Sequence, residues 1–143
     1  MSGRSILFPV LALVLLTIVV GIVMYRQRVA EMRARRIHPQ AVASAAHMMA
    51  RLERTGAADN FRNLFETPVL FYAAALVIYA AQLTSAKYVA LAWLYVALRL
   101  VHSVIHTTYN KVMHRLPAFM ASFVVLAAIW GLLAFDVAIV GRG

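Results

Sequence analysis

Residues 88–106 read YVALAWLYVALRLVHSVIH, and this stretch decides the fold class. Only Arg99 and two histidines interrupt a run of apolar residues that is long enough to cross a bilayer, since a helix does so in about 20 residues. Three more runs have this character, at residues 6–25, 67–84 and 117–140. Lipid offers the backbone no hydrogen-bond partners, so such runs form helices. The sequence predicts an all-α integral membrane four-helix bundle, with residues 1–143 forming a single transmembrane domain.

The composition agrees with this interpretation and excludes several classes of protein. Hydrophobic residues make up 64% of the 143 residues and charged residues 13%, whereas soluble domains average about 45–50% and about 25%. The chain has no cysteine, which excludes a disulfide scaffold, a thiolate metal site and a cysteine nucleophile. A net charge of +9 in a soluble protein would suggest nucleic acid binding. In a chain this apolar it predicts basic cytoplasmic connections instead, with no nucleic acid partner.

The distribution of basic residues predicts the topology. The second and third runs are joined by a few residues only and therefore form an antiparallel hairpin. The long first connection carries eight arginines, and Lys111 and Arg115 in the third connection bring that side to ten cations. The other side carries three: Arg4, Lys87 and Arg142. By the positive-inside rule, both long connections face the cytoplasm and both termini lie outside. This predicts a multi-pass protein, in the plasma (inner) membrane if its source is bacterial.

The ends of the first run and the first connection have local signals of their own. Only one positive residue precedes residues 6–25, the run is longer than the usual ~7–15 apolar residues of a signal peptide, and no small-x-small site lies before Tyr25-Arg26. These features favour a retained helix over a cleaved signal peptide. Residues 26–37 are expected to continue that helix until His38-Pro39 stops it. Residues 41–54 are expected to form a short amphipathic helix that Gly56 ends.

A polar stripe marks the third run. Arg99, His102, His106 and Tyr109 are spaced three, four and three residues apart, which places them on one helix face. Arg99 lies roughly 10 Å from the end of the run at 1.5 Å per residue. A charge at that depth is costly and normally faces a protein interior with a partner. The alternative is that Arg99 snorkels to the interface.

Asn63 and Glu66 form a second polar group, at the start of the second run. They are three residues apart and share a face. Pairing of Glu66 with Arg99 across the helix hairpin would open a polar pocket toward the cytoplasm. Local alternatives are a capping-box-like helix start, Thr67 as N-cap, or an ion pair between Glu66 and Arg62.

A third group consists of Lys111, His114 and Arg115, just beyond the third run. Contact with lipid headgroups explains such a group, and so does an anion clamp. Together the three groups would suit a small zwitterionic ligand with several carboxylates, since Arg and Lys hold carboxylates.

His102 and His106 also have the spacing of a metal-binding pair, and Glu66 would complete a two-His-one-carboxylate site. No Glu directly follows His102, so we favour a site that binds the zwitterionic ligand and holds no metal. The runs contain no break or repeat of the kind that transporters use.

Two of these motifs resemble the MAPEG family, the membrane-associated proteins of eicosanoid and glutathione metabolism. One is Asn63-Leu64-Phe65-Glu66, followed by Pro68, at the start of the second run. The other is Arg99-Leu100-Val101-His102 in the third run. The resemblance extends over the whole chain, including the four helices and the long basic first connection.

The resemblance implies a homotrimer that binds glutathione as co-substrate in a cytoplasm-facing cleft between subunits. It assigns glutathione binding to Asn63, Glu66, Arg99 and His102. We add His106 and Tyr109, which lie on the same polar stripe as Arg99 and His102. The family's thiol-activating arginine corresponds to Arg115, with Lys111 as competitor.

The implied activity is that of a glutathione-dependent transferase or peroxidase acting on small lipophilic electrophiles from the bilayer. The alternative is a non-catalytic trimer that binds a lipid, a quinone or a partner protein, as some family members do.

Overall fold

The computed structural model describes residues 2–140, and within them the chain is all-helical, with no strand. A 3₁₀ turn, Gly3–Ile6, precedes the first α-helix, and another, Pro39–Val42, follows it. The six α-helices are α1 (Leu7–Ala34), α2 (Ala45–Arg51), α3 (Gly56–Asn63), α4 (Thr67–Ala80), α5 (Ala86–Thr107) and α6 (Val112–Val140). The prediction of four spans is confirmed: α1, α3 with α4, α5 and α6 are long and apolar enough to cross a membrane. Arg142 lies outside the described residues.

The first helix ends three residues earlier than the sequence suggested. It stops at Ala34, and Arg36 adopts the left-handed conformation with φ 54°. The amide of Ile37 donates to the carbonyl of Met32 at 2.9 Å. This is the Schellman arrangement, which satisfies carbonyls at a helix end. The helix therefore ends by its own backbone turn, before His38-Pro39 is reached.

The second span differs most from expectation, because it begins at Gly56 instead of residue 67 and consists of two helices. The break falls at Glu66, whose backbone has φ −93° and ψ −89°. The next helix restarts at Thr67 with Pro68 in its first turn, where a missing N–H costs nothing. It ends at Ala80, not at residue 84, because Gln82 turns the chain with φ 58°.

Besides the 3₁₀ turn, the connection between α1 and α3 contains one short α-helix, α2, and not the longer one expected over residues 41–54. Ser44 caps α2 by accepting from the amide of His47 at 3.2 Å. Glu31 of α1 then ties the next segment down, since its carboxylate accepts from the amides of Glu53 at 2.7 Å and Arg54 at 3.2 Å. Gly56 starts the following helix instead of ending this one.

The bundle core lies between α1, α4, α5 and α6, with α5 packed mainly on α6. Its central side chains are Leu13, Phe71, Tyr95, Leu126 and Ile129. Large apolar side chains are exposed along the outer faces of all four long segments, as expected of surfaces that meet lipid or other subunits.

One end of the bundle contains the C-terminus of α1, the helix α2 and the α5–α6 turn. We call it the basic end. There Gln27 of α1 donates to the carbonyl of Thr107 at 3.4 Å. At the opposite end, Asp136 of α6 binds Lys87 at 2.8 Å and the Tyr88 hydroxyl at 2.7 Å. The helix α6 begins at Val112, five residues before the apolar run that predicted it.

Candidate functional site

Arg99 of α5 is fully buried, with no exposed surface, so it does not snorkel toward the interface. Its Nε donates to the Tyr95 hydroxyl at 3.2 Å, and its Nη2 donates to the hydroxyl of Thr67 on α4. The ring of Phe119 lies 4.8 Å from the guanidinium carbon. Two hydroxyls and an aromatic face therefore hold the charge, and Nη1 is buried without a hydrogen-bond partner.

The expected pairing of Arg99 with Glu66 does not form. Among residues 2–140 no carboxylate lies within 4 Å of the Arg99 guanidinium, and Glu66 is exposed. The backbone break at Glu66 places Thr67, the next residue, beside Arg99 instead. Asn63 is half-buried, and neither it nor Glu66 makes a side-chain hydrogen bond or an ion pair to Arg62 within the described part of the chain.

Two histidines and an arginine form a cluster at the basic end. His102 and His106 of α5 are buried, and Arg115 of α6 is half-buried between them and the surface. The guanidinium of Arg115 donates to His106 Nε2 at 2.7 Å, and the Arg115 carbonyl lies 3.0 Å from His102 Nδ1. A carbonyl can only accept, so His102 carries its proton on Nδ1. In the neutral ring this leaves Nε2 as a buried acceptor, and it has no partner.

The α5–α6 turn brings Arg115 to the histidines. Asn110 occupies the left-handed region with φ 49°, which reverses the chain, and its side-chain oxygen accepts from Arg115 Nη1 at 2.6 Å. Phe119, one turn further along α6, lies against both His102, at 5.6 Å between ring centroids, and Arg99. The predicted residues Arg99, His102, His106 and Arg115 are thus linked by a chain of contacts along α5 and α6.

The remaining predicted residues lie outside this cluster. Tyr109 is exposed, and its hydroxyl lies 3.2 Å from the ring of His114 instead of facing the interior. Lys111 is exposed and its side chain makes no hydrogen bond or ion pair within residues 2–140. The polar stripe therefore stops at His106, because α5 ends at Thr107 and the turn redirects the chain.

Sequence reasoning missed the buried polar pair that joins α3 to α5. Asn60 has no exposed surface, and its side-chain oxygen accepts from the Ser103 hydroxyl at 3.4 Å while its Nδ2 has no partner. A usable signal was present, since Gly56 and Asn60 are four residues apart and share a face of α3. A Cβ at Gly56 would lie 2.6 Å from the His106 carbonyl oxygen, so the glycine permits this close packing.

A cavity of about 440 Å³ opens beside the cluster at the basic end. Its walls come from α1, the α2–α3 connection and the end of α5, and its lining includes Gln27, Arg54, Gly56, His106 and Asn110. His106 therefore faces this cavity on one side and Arg115 on the other.

The two-His-one-carboxylate alternative is not supported. Among residues 2–140 no three His, Asp or Glu side chains are grouped closely enough to hold a metal ion. His102 and His106 meet edge to face with ring centroids 5.3 Å apart, and Glu66 is not part of the cluster.

Comparison with known proteins places the chain in a family. The model of the MAPEG family matches residues 6–135, which is nearly the whole chain. No curated protein and no solved structure has a significant match to it. With four membrane-spanning segments and this match, the chain is an integral multi-pass membrane protein that belongs to the MAPEG family.

Proposed function

We propose that the protein is a glutathione-dependent transferase or peroxidase that acts on lipophilic electrophiles at the cytoplasmic face of the membrane. The observation that carries this proposal is a pair of cations, Arg99 buried and Arg115 half-buried, that no carboxylate contacts. Within residues 2–140, neither Arg99 nor Arg115 has a carboxylate within 4 Å. An anionic ligand with carboxylates would supply the missing counter-charge.

Three buried atoms in or near the cluster lack hydrogen-bond partners, and they fit a peptide that carries carboxylates. Arg99 Nη1 and Asn60 Nδ2 are buried donors without acceptors, and His102 Nε2 is a buried acceptor without a donor. A carboxylate and an amide N–H would satisfy them. Phe119 lies over both Arg99 and His102, so rotation of this ring is the change that would admit a ligand.

Arg115 is the better candidate for thiol activation. Its guanidinium is held by two neutral acceptors, His106 and Asn110, so its charge is fixed in place and not cancelled. A cation within about 4–6 Å favours the ionised form of an acid, which lowers the pKa of a glutathione thiol from ~8.5. With an aryl halide as electrophile, the thiolate sulfur forms a bond to the ring carbon and the halide ion leaves. Lys111 is exposed, so solvent weakens its effect.

The proposal includes a homotrimer, as the family resemblance implies. Asn63 and Glu66 do not reach Arg99 within one chain, and Glu66 is exposed on the surface of the bundle. In the trimer we propose that these two residues face a neighbouring subunit and bind the ammonium end of glutathione there.

A direct test compares Arg115→Gln with Arg115→Lys and with Lys111→Gln as matched charge-removal control. We expect Arg115→Gln to lower glutathione conjugation to a lipophilic aryl halide by at least about tenfold at neutral pH. At alkaline pH the thiol ionises unaided, so the deficit should shrink. Lys111→Gln should stay close to the wild type. Equal loss in both glutamine variants, or a deficit that is independent of pH, would contradict the assignment.

One observation favours a non-catalytic alternative, a lipid- or partner-binding trimer. Arg99 already has hydrogen bonds from its Nε and Nη2 and an aromatic neighbour, which a purely structural arginine also requires. Thermal melting of the detergent-purified protein separates the two functions. A rise in melting temperature with millimolar glutathione supports the transferase, and no rise supports the binding protein.

A further inference from the structure

A second cavity, of about 470 Å³, lies at the end of α1 and is separate from the cluster. We call it the α1 groove. Its lining combines three apolar side chains, Val29, Met32 and Ile37, with three that donate hydrogen bonds, Arg33, Arg36 and His38. The Schellman turn shapes it, because the Ile37 amide bonds to the Met32 carbonyl and brings those two apolar residues together.

The backbone of Arg36 is unusual for its residue type. It occupies the left-handed position of the turn, where glycine is strongly preferred because other residues crowd their own Cβ there. Retaining arginine at this point lowers the stability of the turn. A strained residue held in this way is a reason to look for a function of its side chain.

The cations of the α1 groove are not neutralised by the protein. Within residues 2–140, neither Arg33 nor Arg36 has a carboxylate within 4 Å. The neighbouring acid, Glu31, is already bound to Arg35 at 3.2 Å and to two backbone amides. His38 Nδ1 accepts from the amide of Gln40 at 3.3 Å, so the ring proton lies on Nε2. Two guanidiniums and an imidazole N–H are therefore available to an anion.

The near end of the α1 groove, at Val29, lies at the depth of lipid headgroups. The apolar run ends at Tyr25, and at 1.5 Å per residue Val29 lies about 6 Å and Arg33 about 12 Å beyond it. The headgroup layer occupies roughly 5–8 Å on each side of the hydrocarbon core. Helical side chains also lean toward the helix N-terminus, which for α1 is toward the membrane. The long side chain of Arg33 has the length to extend back toward the phosphate level.

We propose that the α1 groove binds the headgroup of an anionic phospholipid of the phosphatidylglycerol class. Arg33, Arg36 and His38 hold the phosphodiester, and Val29, the apolar side chain nearest the membrane, contacts the glycerol end of the same lipid. The apolar lining favours a lipid over free phosphate. A choline headgroup would bring its ammonium to two guanidiniums, which disfavours zwitterionic lipid. This site is independent of the proposed glutathione chemistry.

The test uses Arg36→Gly, which relieves the strained backbone and removes the charge together. Gln82→Gly is the matched control, because Gln82 has φ 58° in the same kind of turn, with Leu83 N–H bound to the Ile78 carbonyl at 3.0 Å. Both variants should melt at a higher temperature than the wild type. Only Arg36→Gly should lose affinity for short-chain phosphatidylglycerol, by about fivefold, as measured by native mass spectrometry of the intact protein in detergent.

Four further measurements decide the outcome. Arg36→Gln keeps the backbone strain and should also bind phosphatidylglycerol about fivefold more weakly, while Arg26→Gln, outside the α1 groove, should bind like the wild type. Phosphatidylcholine of equal chain length should bind less than phosphatidylglycerol. Unchanged affinity in both Arg36 variants overturns the proposal, as does equal binding of the two lipids. Displacement of the lipid by inorganic phosphate at matched concentration assigns the site to free phosphate and overturns the lipid assignment.

Discussion

Replacement of Gly56 by alanine tests the packing that brings α3 against the cluster. The new Cβ would lie 2.6 Å from the His106 carbonyl oxygen and 3.3 Å from Asn110 Nδ2. The first contact is with backbone, which cannot swing away, so α3 or the end of α5 must move. Because Asn110 holds Arg115 at 2.6 Å, that movement reaches the residue proposed to activate the thiol.

The expected change in the free energy of unfolding follows from two opposing effects. Forcing a methyl group into a packed site costs about 1–3 kcal/mol. Alanine is favoured over glycine by up to about 1 kcal/mol inside a helix, and by less at the first residue of α3. The φ of Gly56 is not positive, so alanine fits the backbone itself. The net expectation is a loss of about 1–2 kcal/mol in the free energy of unfolding.

Gly131→Ala on α6 is the matched control, because nothing lies within 4 Å of a Cβ at that position. It should gain up to about 1 kcal/mol from helix preference alone. Unfolding in mixed micelles with a graded denaturing detergent measures both variants, and conjugation kinetics report on the cluster. Stability and glutathione turnover of Gly56→Ala equal to those of Gly131→Ala would refute the reasoning.

Four other predictions concern side-chain hydrogen bonds. Arg99→Met should unfold with a free energy close to wild type while losing glutathione binding in a titration, because an apolar side chain of similar length replaces a buried charge. Thr67→Val should instead cost about 1–3 kcal/mol in unfolding, because it leaves a buried guanidinium N–H without an acceptor; a neutral result would contradict the described contact. Tyr88→Phe should cost about 1 kcal/mol without changing glutathione binding, and a change in binding would show that the two ends are coupled. Glu31→Ala should speed hydrogen exchange at the two amides its carboxylate holds, measured by mass spectrometry, and unchanged exchange would disprove that contact.

Hydropathy and spacing predicted the large features. The four spans follow from runs of apolar residues, since the bilayer dictates helix length and backbone pairing. The i, i+3, i+7 spacing of Arg99, His102 and His106 predicted one buried face of α5, and all three side chains are buried. These features depend on one helix at a time and need no knowledge of how helices meet.

Features that depend on how two helices meet were not predictable from the sequence. Whether Glu66 or Thr67 meets Arg99 depends on a backbone break whose ψ of −89° has no sequence signature. Gly56 is a turn signal that fits the end of one helix as well as the start of the next, and only its contact with the His106 carbonyl decides between them. Asn60 reads as a surface amide until α5 covers it.

The position of Arg99 has a consequence for the permeability of the membrane. Its buried guanidinium lies beside Thr67, the first residue of α4, so the positive end of that helix adds to the charge. A hydronium ion or metal cation that enters between the helices meets this positive potential before it reaches the apolar half of the bundle. Water channels and transporters exclude protons and cations with electrostatic barriers of this kind, an arginine or the positive ends of half-helices. The polar side chains of α5 can therefore sit deep in the bundle without making the membrane leaky to protons.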